Sequence, residues 1–197
     1  FSAGELEELR IQAVRCEQDA AALGDRYTFI NLRVSTIPLL KILADLPAQA
    51  RAIADDAIGA WSSKDWHLQH WQHLCTRVQI CLYERNPIEA EQLLDTAQPR
   101  VEASHQIRAQ TIRIRLLNMR GQVALLLAKT RGESALNDAE RAATLLEDEQ
   151  IEWAAGLSLA LRAAVSWQRG LAAECFAQLR AAQQVFGSLG MRLHESA

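Results

Sequence analysis

Three histidines, His67, His70 and His73, stand three residues apart and invite a zinc reading. A helix turns about 100° per residue, which places them at about 0°, 300° and 240° around its axis. His67 then points into the Trp71–Leu74–Val78 stripe, and His73 points well away. A helical zinc pair takes the i, i+4 spacing of HExxH, which no two histidines here have. The expectation is therefore no metal, with the histidines flanking a helix start and helping to hold a neighbouring element. Cys75 and Cys81 flank the same apolar stripe. A nucleophilic thiol needs a base and an electropositive, accessible setting; neither is evident, so both are assigned to the core. Neither GxGxxG nor GxxxxGK[ST] occurs, so no backbone cradle for phosphate is expected. These observations give no catalytic residue and no cofactor.

Arginine offers more. Arg108 and Arg115 are seven residues apart, as are Arg113 and Arg120. On one helix the two pairs make basic stripes either side of the Ile112–Leu116–Met119 seam, with Arg100 adding charge upstream. A guanidinium forks onto carboxylate or phosphate in a way that lysine cannot. Arg108, Arg113, Arg115 and Arg120 are therefore the candidate partner-binding residues, for an acidic or phosphorylated protein or peptide. The competing arrangement is internal, with the same arginines paired to Glu89, Glu91, Asp95 or Glu102 on the preceding helix. Among the tryptophans, Trp71 and Trp167 fall on apolar stripes and are assigned to the core. Trp61 and Trp66 lie around a loop and remain open to either role.

The elements that must position these residues are helical. Alanine and leucine are abundant and aromatics make up only 6%, which favours helix over strand. No window alternates with period two; helical period runs from end to end. Net charge is -3, with Lys41, Lys64 and Lys129 the only lysines. That balance gives no general attraction to nucleic acid or anionic membrane, and no basic–aromatic pattern appears. The longest uncharged apolar run, Val123 to Ala128, is far too short to span a bilayer. The four cysteines, Cys16, Cys75, Cys81 and Cys175, have no CxxC spacing and read as reduced thiols of a cytoplasmic protein. The chain opens on Phe1, and Phe1–Arg10 lacks a leader pattern, so 1–197 reads as one domain of a larger protein.

Nine helices are expected. The first runs from Glu5 to Leu23 with a stripe of Leu6, Leu9, Ala13, Cys16 and Ala20, closed by Gly24. The second, Thr28 to Asp45, contains Pro38 and should kink or split near Ser35–Thr36. The third starts at Pro47, the fourth spans Asp65 to Arg85, and the fifth starts at Pro87 and weakens at Pro99. The sixth covers Ser104 to Thr130, the seventh Ser134 to Glu149, the eighth Ile151 to Gln168 and the ninth Leu171 to Phe186.

Four breaks share a form: Asp45-Leu46-Pro47-Ala48, Arg85-Asn86-Pro87-Ile88, Thr130-Arg131-Gly132-Glu133 and Gln168-Arg169-Gly170-Leu171. From Pro47 to Pro87 is 40 residues, from Pro87 to Ser134 is 47, and from Ser134 to Leu171 is 37. Helical-hairpin repeats have periods in this range. The sixth helix carries one apolar stripe of Ala109, Ile112, Leu116, Met119 and Val123 and a second of Ile107, Ile114 and Leu125. Burial on two faces is what a stacked hairpin needs, because it packs on a neighbour before and after. The expected fold is an all-α, tetratricopeptide-like α-solenoid of about four hairpins, with a closed helical bundle as the competing architecture.

The stretches Gly24-Asp25-Arg26-Tyr27-Thr28-Phe29-Ile30-Asn31-Leu32-Arg33, Trp66-His67-Leu68-Gln69-His70-Trp71 and Gln79-Ile80-Cys81-Leu82-Tyr83 carry a family likeness. They resemble the tetratricopeptide-like C-terminal region of bacterial eukaryote-like serine/threonine protein kinases, over about Gly4 to Met191. The resemblance implies a helical arm that recruits partners or substrates, or senses signals, for a kinase domain outside this chain. The kinase elements HRD and DFG are absent here. The leading expectation is a non-catalytic protein-interaction arm whose second, fourth, sixth and eighth helices line a groove. The alternative is a helical domain that senses a small effector, which a deep apolar pocket with convergent polar groups would favour. A third, weaker reading, an all-α enzyme, would need a cleft of perturbed acids or histidines.

Overall fold

The computed structural model describes residues 5–62 and 64–195; the opening residues Phe1–Gly4, read above for a leader, lie outside them. All regular structure among the described residues is helical, with no strand. The α-helices are α1 (Leu6–Leu23), α2 (Arg26–Val34), α3 (Thr36–Leu43), α4 (Pro47–Gly59), α5 (Leu68–Tyr83), α6 (Pro87–Ala103), α7 (Gln110–Arg131), α8 (Glu133–Asp148), α9 (Glu152–Gln168), α10 (Ala172–Ser188) and the short α11 (Arg192–Glu195). Packing divides the chain into two compact units, one of residues 6–107 and one from residue 108 onward.

The prolines act where their chemistry requires. Pro47 and Pro87 each open a helix, where the missing N–H has no partner to lose. Asn86 caps the second of these, its Oδ1 accepting the Glu89 N–H at 3.3 Å. Pro38 splits the second expected helix into α2 and α3 around Ser35. Its missing N–H would have bonded the carbonyl four residues back, which is that of Val34. The buried Thr76 hydroxyl on α5 donates to that carbonyl instead, at 2.7 Å. A break written in one helix is thus closed by a side chain from another. Thr76→Val keeps the shape and strands the Val34 carbonyl, so it is expected to cost about 1–3 kcal/mol in urea unfolding. Pro99, expected to weaken the next helix, sits inside α6, which runs on to Ala103. Both Pro99 and Asp95 one turn before it are exposed, so the interruption lies on an exposed face of α6.

Three of the four repeated breaks and two other helix ends share a backbone device. Gly24, Asp45, Arg85, Gly170 and Gly190 have φ between 56° and 78°. The next residue in each case donates its N–H to the carbonyl five back, as Leu46 does to Lys41 and Asn86 to Cys81, at 2.8–2.9 Å. This is the Schellman closure of a helix end. His105 adopts the same left-handed conformation, followed by a 3-10 turn at Gln106–Arg108. The sixth expected helix therefore begins at Gln110, not Ser104.

In the first unit, α2 packs on α1, α3, α4 and α5, and α5 packs on α6. Trp71, Val78, Ile80 and Cys81 of α5 are fully covered, and Ile30 and Val34 on α2 and Ala90 and Leu94 on α6 are buried as well. In the second unit, α7 packs on α8 and α9, α9 on α8 and α10, and α10 on α11. Its core holds Ile114, Leu146, Leu157, Leu161 and Phe186 with small residues between. A Cβ at Gly156 would stand 2.6 Å from Phe186 Cε1, so α9 and α10 approach this closely only because that position is glycine. On α7, Ile112, Met119 and Val123 are buried on one side and Ile114 on another, the two-faced burial expected of it.

Candidate functional site

The sequence candidates disperse. His73 Nε2 meets Asp55 Oδ1 on α4 at 2.7 Å. His67 Nδ1 accepts the Trp61 Nε1–H at 3.1 Å, and His70 Nδ1 accepts the His67 backbone N–H at 3.0 Å. His67 precedes α5, which starts at Leu68 rather than Asp65, so the helical wheel does not apply to it. No group of three or more metal-ligating side chains gathers among the described residues. Cys75 and Cys81 are buried, and burial pushes the Cys81 thiol up to about 11, far from a reactive thiolate. Trp71 is 1% exposed, as expected, but Trp167 is 63% exposed. It lies in the last turn of α9, and its apolar stripe runs out of neighbours there.

The four arginines separate in the same way. Arg108 lies in the 3-10 turn and not on α7, so it is not stacked above Arg115. Arg113 is committed inside its own unit: Nε and Nη2 donate to the two oxygens of Glu149 at 2.7 and 2.6 Å, and Nη1 donates to the Arg108 carbonyl at 2.8 Å. Glu149 is the C-cap of α8, and Gln110 Nε2 reaches its carbonyl at 2.7 Å. The fork therefore ties the start of α7 to the end of α8. The Arg113 guanidinium holds the Glu149 carboxyl below its ordinary value. A depressed carboxylate contributes fully above the unfolded value of 4.5 and loses its contribution as pH falls through the folded one. Arg113→Glu is expected to lower the thermal midpoint, and adding Glu149→Arg to restore most of the loss. The wild-type advantage over Arg113→Ala should shrink below pH 4.5. A double variant no more stable than the single one would show that the pair does not hold α7 to α8.

The second unit opens a cleft of about 680 Å³ between α7, α9 and α10. From α7 it is lined by Asn118, Gln122 and Leu125. At about 100° per residue, Arg115 lies about 50° from the middle of that stripe, whereas Arg113 and Arg120 lie about 150° or more away. From α9 come Leu157, Ala160, Leu161 and Ala164, and from α10 Phe176, Leu179, Arg180 and Gln183. Both sets follow the i, i+3, i+4, i+7 spacing of one helix face. Phe176 and Leu179 remain 62% and 47% exposed. His194 on α11 lies against Phe186, ring centroids 5.2 Å apart, and burial lowers its pKa.

The first unit has a smaller cleft, about 380 Å³, at the α5–α6 hairpin. Leu74, Leu93 and Ala97 make its apolar floor, and Trp66, stacked on His70 at 5.5 Å and 26°, makes a wall. Arg77 closes one end, with Nη1 on both oxygens of Asp55 at 3.0 Å and Nη2 on Glu89 at 2.9 Å. Arg51 also holds Glu89, at 2.8 Å, and these cations keep the Glu89 carboxyl below its ordinary range. Arg100 stands at the mouth and lines an adjoining hollow with Lys64, Trp66 and Ser104. Neither cleft was singled out from the sequence. For the smaller one the sequence offers only the loop position of Trp66 and the charge of Arg100.

No protein-family profile, curated protein or solved structure matches the chain.

Proposed function

We propose that the chain is a non-catalytic binding module whose α7–α9–α10 cleft holds a short apolar, acidic segment of a protein partner. In this reading the hairpins stack in a tetratricopeptide-like manner, and the module serves a larger signalling protein, as the likeness to kinase-associated arms implies. The carrying observation is the cleft itself. The α9 face is apolar, and on the α10 face Phe176 and Leu179 stand beside Arg180 and Gln183 and stay largely open to water. An exposed apolar patch of that kind, rimmed by polar groups, marks an interaction surface. Asn118, Gln122 and Gln183 bring amides that both donate and accept, which suits a peptide backbone better than a bare anion. Arg180 and Glu195 both line the cleft, and the acidic character of the segment is inferred from Arg180.

The test uses short synthetic peptides with Leu and Phe at helical spacing and Asp or Glu between them, titrated into the full chain by fluorescence anisotropy. The apolar–acidic peptide should bind, and versions with Ser for the apolar residues or Lys for the acids should bind much more weakly. Equal binding of all three would refute the reading. So would a concentration-dependent dimer in sedimentation that Phe176→Asp abolishes, because the patch would then belong to a second copy.

A further inference from the structure

We infer that the α5–α6 cleft is a second, separate binding site, for a small planar carboxylate such as an aromatic or heteroaromatic acid. The inference does not rest on the peptide reading, which concerns the other unit. A volume of about 380 Å³ falls within the range of small-molecule pockets, roughly 300–1,000 Å³. The floor of Leu74, Leu93 and Ala97 is apolar, and the indole of Trp66 offers a flat face. A planar ring stacks on such a face with favourable offset geometry.

Two lining residues carry buried donors that nothing in the protein accepts: Trp66 Nε1 and Arg77 Nε. Both atoms are shut off from solvent, so they mark the lining as under-satisfied and do not themselves contact the ligand's carboxylate. Neither donor is satisfied by the surrounding network, although that network is dense. Arg77 already spends both terminal nitrogens on Asp55 and Glu89, and the Trp66 carbonyl is taken by Gln106 Nε2 at 3.3 Å. The cleft is thus tied down on its outer sides and unsatisfied on two donors of its lining.

Charge selects the ligand's other end. Arg77 and Glu89 cancel each other, and Arg100 forms no ion pair with any described residue. One exposed guanidinium at the mouth suits a single carboxylate, which it can take by its fork. A dianionic phosphate would sit near Glu89 with one uncommitted arginine to offset it. The ring therefore lies along Trp66 over the apolar floor, and the carboxylate turns outward to Arg100.

The experiment follows the full chain by calorimetry and by the indole Nε1–H resonance of Trp66, assigned with Trp66→Phe. The probes are 2-naphthoate, its neutral analogue 2-naphthylmethanol, the non-planar cyclohexanecarboxylate, and phenyl phosphate. 2-Naphthoate should saturate the protein below about 1 mM, the edge of a meaningful affinity, and should shift the Trp66 resonance. The neutral and non-planar probes should bind at least about tenfold more weakly, as should 2-naphthoate to Arg100→Gln. Arg100 is exposed, so this variant folds; if Trp66→Phe does not, Arg100→Gln decides alone. No saturation by about 1 mM, equal binding of the neutral probe, or unchanged affinity in Arg100→Gln each overturns the proposal. Tighter binding of phenyl phosphate overturns the carboxylate assignment.

Discussion

Trp71→Ala is expected to lower the free energy of unfolding by about 3–5 kcal/mol, while Trp167→Ala should change it by no more than about 0.5 kcal/mol. Both residues sit on apolar stripes of their helices, yet Trp71 is 1% exposed and Trp167 63%. Removing the Trp71 indole takes away the transfer free energy of a large ring and leaves a hole that close-packed neighbours fill only in part. The burial continues along α5 at Leu74, Cys75, Val78 and Cys81. Against a typical total of roughly 5–15 kcal/mol, such a loss is a large share of the stability of a small protein. Trp167 gives up a mostly wet surface and leaves no cavity. Urea unfolding followed by far-ultraviolet circular dichroism reads both, with an unchanged slope showing that the unfolded state is not the cause. Equal losses for the two variants would mean that Trp167 is covered in solution.

That contrast shows how far the residues alone could be read. Periodicity identifies a stripe but not what lies over it, and the end of α9 has no cover for its last apolar position. Local chemistry was fully legible where one residue decides it. Pro38 splits a helix, and Pro47 and Pro87 start helices, because a ring without an N–H is best placed there, although α6 runs on through Pro99. The start of α7 was not legible, since nothing about His105 announces a left-handed backbone, and the error carried Arg108 off its helix. Arg113 stands in the sequence as a candidate for a partner's carboxylate or phosphate. Its carboxylate proved to be Glu149, 36 residues away in sequence. Spacing along one helix cannot reveal such a partner, because tertiary packing chooses it. The same limit hid both clefts. Phe176 and Leu179 share a helix face in the sequence, and their exposure depends on which elements pack beside α10.

Phe176→Asp and Leu179→Asp are each expected to weaken binding of the apolar–acidic peptide by about 30-fold or more, the 2 kcal/mol that defines a hot spot. Each substitution replaces an apolar anchor with a charge that must be desolvated when the cleft closes on its occupant, and the new carboxylate also repels the peptide's acids. Because both residues are about half-exposed or more in the free protein, folding loses little, and the thermal midpoint should move only slightly. The control is Leu145→Asp on α8, in the same unit, at 44% exposure and away from the cleft. It adds the same charge and removes a comparable apolar side chain, so it separates a defined site from general stickiness. Arg180→Glu should weaken the acidic peptide and spare the version whose acids are replaced by Lys. Raised salt should erase that difference, because exposed charge contacts are screened over about 8–10 Å at physiological ionic strength. If Leu145→Asp weakens binding as much as Phe176→Asp, the peptide is adhering to apolar surface at large and the α7–α9–α10 cleft is not its site. If the two cleft variants bind as the wild type does, the exposed face of α10 serves something other than a peptide.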